Sequence, residues 1–280
     1  MSRHGAPSCL MLATVLLLGT IPLYAEELKL FDAHIHYNQD VWGAIPPKEA
    51  IARLKQAGVR QALVSSSSDD GTQALYAESP GLIIPELRPY RKNGETGTWF
   101  QDDSVIPYLT ERLKQYRYVA IGEFHVSGAD ADLPVVRRTV QLARQHGLML
   151  HAHSDADAVE RLFHQDPSAE ILWAHAGYED PPRIREMLKR HRALWVELSS
   201  RGEIAPDGRL TDEWRILLLE FPDRFMVGTD THRPERWSII RSHAETVRRW
   251  LADLPTDMAE RIAYKNGDVV LTQRFARHHR

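Results

Sequence analysis

In Leu28-Lys29-Leu30-Phe31-Asp32-Ala33-His34-Ile35-His36 a short apolar run, Leu28–Ala33, leads into two histidines separated by one residue. Seven more short apolar runs follow it: Gln61–Ser65, Leu82–Pro85, Tyr118–Gly122, Leu148–Ala152, Ile171–Ala174, Leu194–Leu198 and Arg224–Gly228. Each is apolar nearly throughout, as a strand buried on both faces of a parallel sheet must be. Amphipathic helical patterns lie between them. Ile51, Leu54 and Ala57 share a face, and Gly58 follows as a stop. Val136, Val140 and Ala143 repeat the pattern, with Pro134 near the start and Gly147 at the end. Pro181 and Pro182 open another helix, with Ile184, Met187 and Leu188 on its apolar side.

Strands alternating with helices imply βαβ units and a parallel sheet. Eight such units over about 250 residues fit a single-domain α/β chain closed into a (β/α)8 (TIM) barrel. An open doubly wound sheet is the alternative; no GxGxxG follows the first strand, which weakens its dinucleotide-binding version. Pro85 to Asp103 is the longest non-periodic connection and could lie over a site as a loop, with Trp99 and Phe100 as an apolar wall of the pocket or, alternatively, as surface loop aromatics.

The apolar content of 43% and charged content of 26% are those of a soluble globular protein. A formal net charge of -3 and the lack of a long basic run give no support to nucleic-acid binding. Residues 1–25 differ from the rest. Arg3 and His4 precede the apolar stretch Leu10 to Leu18, and Pro22 and Ala25 follow. This is the pattern of a secretory signal peptide. It leads to the expectation of a mature domain at 26–280, periplasmic or secreted, with no stable membrane partner after cleavage. Leu23 departs from the small residue preferred before a cleavage site, so an uncleaved anchor is the alternative, although its core falls short of the ~20 residues of a span. Cys9 is the only cysteine. A cleaved chain would have no disulfide, no cysteine zinc site and no thiol nucleophile.

In a (β/α)8 barrel the active site lies at the C-terminal ends of the strands. Those ends carry His34 and His36 on the first strand, Glu123 and His125 on the fourth, His151 and His153 on the fifth, His175 on the sixth and Asp230 on the eighth. Residues i and i+2 of a strand point to the same side, so His34 and His36 can face one ion on which Glu123, a fifth-strand histidine, His175 and Asp230 converge. Imidazole nitrogen and carboxylate oxygen suit a divalent first-row metal. Such an ion lowers the pKa of water to about 7. A lone HxH is weak evidence; the ordered set is what points to metal. Glu123 could instead orient a histidine. His153 is nearer the mouth and is expected as the ligand, with His151 one layer deeper, but the reverse is open. His125 could reach substrate or lie in a solvated loop. Arg88, Tyr90 and Arg91 follow the third strand and could bind a substrate carboxylate or phosphate, with a solvated basic loop as the alternative.

Phe31-Asp32-Ala33-His34-Ile35-His36 resembles the opening motif of the amidohydrolase superfamily, in its amidohydrolase-related (amidohydrolase 2) branch. Trp173-Ala174-His175-Ala176-Gly177 resembles the branch's strand-6 signature, and Gly228-Thr229-Asp230-Thr231 its strand-8 signature. Ile262 to Gly267 resembles its terminal helix and Asn turn, so the likeness runs from about Phe31 to Leu271. The resemblance implies a barrel with one or two divalent ions, zinc first. It also implies hydrolysis of an ester, lactone, amide or phosphoester bond of a small molecule. Many binuclear members carry a carboxylated lysine at strand 4; Lys114 falls in the preceding helix, and Glu123 instead resembles the metal-bridging glutamate of TatD-type hydrolases. That likeness implies one ion on His34, His36 and Asp230 and a second on His153 and His175, with Glu123 between them and Asp230 moving the proton. With one ion, His175 would polarise substrate or act as base. A metal-dependent non-oxidative decarboxylase of the same superfamily is the alternative, and a non-catalytic metal or ligand binder the third reading. Self-association into a homo-oligomer is left open.

Overall fold

The computed structural model describes Met1 and residues 27–277. The leader expected at 1–25 therefore lies, but for Met1, outside the described residues. Every apolar run becomes a strand: β1 Leu30–Ile35, β2 Val59–Val64, β3 Ile83–Pro85, β4 Ala120–His125, β5 Met149–His153, β6 Ile171–Trp173, β7 Leu194–Glu197 and β8 Phe225–Met226. The strands pair in chain order, all parallel, as β1-β2-β3 and as β4-β5-β6-β7-β8.

Two seams join these groups. Leu87 bridges Ile121, and Leu87 N donates to Ala120 O at 3.0 Å. On the other side Ile35 bridges Thr231, and Ala33 N donates to Val227 O at 2.9 Å. Asp32 pins the same seam, its carboxylate accepting from Thr229 N at 3.0 Å and Thr229 Oγ1 at 2.7 Å. The sheet is thus a closed barrel and not an open one. His34 and Glu123 both sit where the ladder shifts register, His34 between Asp32 and Ile35 and Glu123 between Gly122 and Phe124. The backbone of Glu123 is held by side chains instead, its N–H donating to Ser65 Oγ at 3.2 Å and its carbonyl accepting from Arg88 Nε at 3.1 Å.

The core has two parts. The larger lies between the strands and the surrounding helices, among them Pro47–Gln56, Pro134–Gln145 and Pro181–Arg190, each opened by a proline in its first turn. The smaller gathers Phe31, Leu63, Ile84, Ala120, Met149, Leu172 and Met226, with Trp195 partly buried against them. Residues from all eight strands meet only on the face they share, the barrel interior. Leu271 and Phe275 of the C-terminal helical segment join this cluster.

The long connection after β3 holds a short 3-10 turn, Trp99–Gln101. Trp99 and Phe100 do not wall the pocket. Trp99 is fully buried, packs on Phe124 with ring centroids 5.4 Å apart, and donates from Nε1 to His125 O at 2.7 Å. It braces the end of β4 from behind. No helix of the described residues is long and apolar enough to cross a membrane.

Candidate active site

His34 in β1 and His36 just past its end are fixed by what stands behind them. His34 Nδ1–H donates to Glu197 Oε2 at 2.9 Å, and His36 Nδ1–H donates to Ser65 O at 2.7 Å. Each second nitrogen therefore points into the mouth, as in ligating histidines held by an acceptor on the far side. The two Nε2 atoms stand 3.0 Å apart. Glu123 Oε2 lies 3.4 Å from His34 Nε2 and 3.2 Å from His36 Nε2. Asp230 Oδ1 lies 3.9 Å and 3.7 Å from the same two atoms.

The other oxygen of Glu123 faces a second group. Oε1 accepts from His153 Nδ1 at 2.8 Å and lies 3.6 Å from His175 Nε2 and 4.0 Å from His125 Nε2. A buried carboxylate with one oxygen toward each set of imidazoles has the disposition of a bridging group. Arg88 adds a cation: its Nη2 donates to Glu123 Oε2 at 2.7 Å and its Nε to Glu123 O at 3.1 Å.

Local backbone strain is concentrated here. His175 to Gly177 all adopt left-handed dihedrals, and Tyr178 and Asp230 have φ of 56° and 47°. For residues other than glycine this conformation costs roughly 1–2 kcal/mol each. Strain of this kind gathers at functional sites and persists only where surrounding contacts impose it. Two glycines allow the close packing below. A Cβ on Gly122, whose φ is +152°, would stand 2.4 Å from His151 O; one on Gly228 would stand 2.3 Å from Glu197 Oε1.

Three carboxylates share this space, and burial opposes the charge on each. For Glu123 the facing His34 and His125 and hydrogen bonds from His153 and His175 outweigh burial and hold its carboxyl well below the usual range. For Glu197, His34 does the same and lowers it to about 2. Asp230 is held low by a hydrogen bond from His232 and by His34 and His36. Conversely, Glu123 and Glu197 overcome burial and lift His34 well above an ordinary imidazole, while burial and the Arg88 charge push His36 down to about 3. The site therefore demands positive charge, part of which the Arg88 guanidinium supplies at Glu123.

A divalent ion fits the same demand. The donor atoms of His34, His36 and Asp230 lie within 4.8 Å of one another, as do those of His34, Glu123 and His175, and those of Glu123, His125 and His153. Ligands about 2.0–2.2 Å from one ion stand roughly 3–4 Å apart, which the measured separations match. Nitrogen and oxygen donors without thiolate suit zinc, manganese, iron or nickel.

The structure thus brings together His34, His36, Glu123, His125, His153, His175 and Asp230. His151 lies behind them, fully buried, with Nδ1 3.1 Å from Glu86 Oε2 and its ring 4.8 Å from that of His34; the donor atoms of His34, His151 and Glu197 also lie within 4.8 Å of one another. Of the three residues after β3, only Arg88 lines the cavity at the mouth, which holds about 400 Å³. Tyr90 is buried beneath it, its ring 4.6 Å from the Arg88 guanidinium and its hydroxyl 2.9 Å from His125 Nδ1. Arg91 is held away from the cavity by Glu95 at 2.8 Å and Asp102 at 2.6 Å. Reading the sequence missed Glu197, although it ends β7 as the other site residues end theirs. It also missed His232, whose Nδ1 lies 3.2 Å from Asp230 Oδ1.

The family model for amidohydrolases matches residues 101–267, more than half of the chain. Among curated proteins none matches. Solved structures with the same fold include a putative 2-pyrone-4,6-dicarboxylic acid hydrolase from Pseudomonas putida, at 15% identity and a TM-score of 0.61 over 88% of this chain and 98% of that one. A TatD homologue from Escherichia coli shares 17% identity with a TM-score of 0.60, over 88% and 98% of the two chains. An amidohydrolase from Burkholderia multivorans shares 14% with a TM-score of 0.55, over 87% and 99%. At such identities the likeness carries the fold, the (β/α)8 barrel already visible in the strand order. The match over residues 101–267 carries the rest: the chain belongs to the amidohydrolase family, whose members are mostly enzymes and chiefly hydrolases.

Proposed function

We propose that the protein is a metal-dependent hydrolase that cleaves an ester, lactone, amide or phosphoester bond of a small polar molecule. The observation that carries this reading is Glu123, set with Oε2 toward His34 and His36 and Oε1 toward His153 and His175. His34, His36, Glu123, His153, His175 and Asp230 would hold the divalent ion, zinc in the first instance, which would supply an activated water and polarisation of the scissile group.

The chain's own residues do the remaining work. Glu197 and Ser65 lock His34 and His36 with Nε2 facing inward. His153 and His175 supply the second set of nitrogens. Asp230 is the general base and then the general acid: it takes a proton from the attacking water and returns it to the leaving group. Its side chain is 17% exposed, against 3% for Glu123 and 0% for Glu197, so it is the cluster carboxylate most open to the cavity. Arg88 and the polar lining, which includes Asn38 and His232, favour a polar substrate of a size to enter about 400 Å³. Secretion to the periplasm or beyond stays a proposal resting on the pattern of residues 1–25.

One observation favours a second reading. Arg88 occupies Glu123 Oε2, which suits a single ion and hence the decarboxylase alternative. A panel of esters, lactones, amides and phosphoesters, with carbon dioxide release from aromatic and enoic acids followed in parallel, separates the two. Under the hydrolase reading Asp230→Asn lowers turnover by about 100-fold or more, the scale of general acid–base catalysis. Unchanged turnover in that variant, or carbon dioxide release as the sole activity, would overturn it.

A further inference from the structure

The left-handed turn that presents His175 is held from one direction. The exit of β7 reads Glu197-Leu198-Ser199-Ser200-Arg201, and its alternate residues meet His175 in turn. Glu197 Oε2 accepts from His175 N at 3.3 Å. Ser199 O accepts from His175 Nδ1–H at 2.9 Å. Arg201 Nη1 donates to His175 O at 2.9 Å, and Arg201 Nη2 donates to Glu179 O at 2.8 Å, across the far end of the turn. Every polar handle of His175 except the inward Nε2 is thereby occupied by positions i, i+2 and i+4 of one segment.

Arg201 is suited to this by shape as well as charge. Its side chain is 3% exposed, its guanidinium lies over the Trp214 ring at 4.9 Å, and Glu203 accepts from its Nε. Two carbonyls at the two ends of one turn call for two N–H groups in a fixed plane, which guanidinium has and ammonium lacks. The turn contains three non-glycine residues in a conformation they avoid when free.

We infer that Arg201 is a positioning residue: it clamps the 175–179 turn in its left-handed form and so aims His175 Nε2 at Glu123. The inference rests on His175 being a working group of the proposed hydrolase. It concerns a residue that touches neither substrate nor ion.

The test uses the full chain with Arg201→Met and Arg201→Lys. Folding is checked by circular dichroism and thermal melting. In the metal-free protein, nitrogen NMR of the His175 ring reads its tautomer and hydrogen exchange reads residues 174–179. Zinc affinity is measured by chelator competition, and kcat and KM on any substrate found. Wild type should show His175 protonated on Nδ1 and a protected turn. Arg201→Met should lose both signatures, with zinc affinity and kcat falling roughly 10–100-fold and KM little changed, as for loss of groups that orient ligands. Arg201→Lys should recover part of each, and it replaces the methionine variant if that one fails to fold. Failure of both variants to fold would make Arg201 a general stability residue and overturn the inference. Folded variants with the wild-type tautomer, exchange and zinc affinity would overturn it as well. A wild type that binds no zinc would end the hydrolase reading alone, because tautomer and exchange still decide the role of Arg201.

Discussion

His34 Nδ1 and Glu197 Oε2 stand 2.9 Å apart in complete burial, joining the first strand of the barrel to the seventh. The bond settles which nitrogen of His34 faces the mouth. It also ties into the site a carboxylate that accepts from Ser199 Oγ at 2.9 Å and from His175 N at 3.3 Å. Removing it should therefore be felt in metal affinity first. Glu197→Gln is expected to weaken zinc binding by roughly 10–100-fold while the fold persists. Chelator competition against the wild type checks this, and equal affinities would show that the bond is incidental.

Gly122 and Gly228 permit backbone and side chain to approach where any Cβ would collide. Gly228→Ala places its methyl on Glu197 Oε1 and near His34 Cβ, at 2.3 Å and 2.9 Å before relaxation. Overpacking costs about 1–3 kcal/mol, and here the displaced groups belong to the site. The expected result is a lower melting temperature together with weaker zinc binding. A variant that loses stability but keeps full zinc affinity would mean that Glu197 moves without consequence.

Removal of metal should destabilise the whole barrel. A ligand present at a thousand times its dissociation constant adds about 4 kcal/mol to the folded state. For a domain of this size that corresponds to roughly 10 °C in melting temperature, at about 2–4 °C per kcal/mol. Calorimetry before and after chelation, and again after adding zinc back, reads the shift. An unchanged melting temperature would mean that no ion is held by the folded chain.

A buried ion pair away from the site supplies the contrast. Asp69 Oδ2 accepts from Arg112 Nε at 2.8 Å and from the Tyr118 hydroxyl at 2.6 Å. Arg112→Met leaves Asp69 buried without its cation, and stability should fall by about 3–5 kcal/mol. Zinc affinity measured on the folded fraction should stay at the wild-type value. A parallel loss of affinity would mean that the loop after β2 is coupled to the site.

Much of this architecture is legible in the residues themselves. An apolar run that needs a sheet on both sides can be located without coordinates, and all eight runs were. The strand-end rule also marks His34, His36, Glu123, His175 and Asp230, because a polar group closing such a run has only the mouth to face. What stays hidden is partnership across the barrel. Glu197 obeys the same rule, but one glutamate after Leu194-Trp195-Val196 carries no spacing signal of its own. Its pairing with His34 depends on closure. Arg88, Tyr90 and Arg91 look alike as a cluster, and only side-chain direction separates the one that enters the cavity from the two that do not. Trp99 reads as a loop aromatic, yet Phe124 and the carbonyl of His125 draw it into the core.

The central claim is that the strand-end set holds divalent metal through Glu123. Metal analysis of the full chain, purified without chelator, tests it most directly when wild type and Glu123→Gln are measured side by side. One or two equivalents of a divalent ion in the wild type, with at least one lost in the variant, is the predicted result. A folded wild type free of metal, or a variant that retains the full complement, would contradict it.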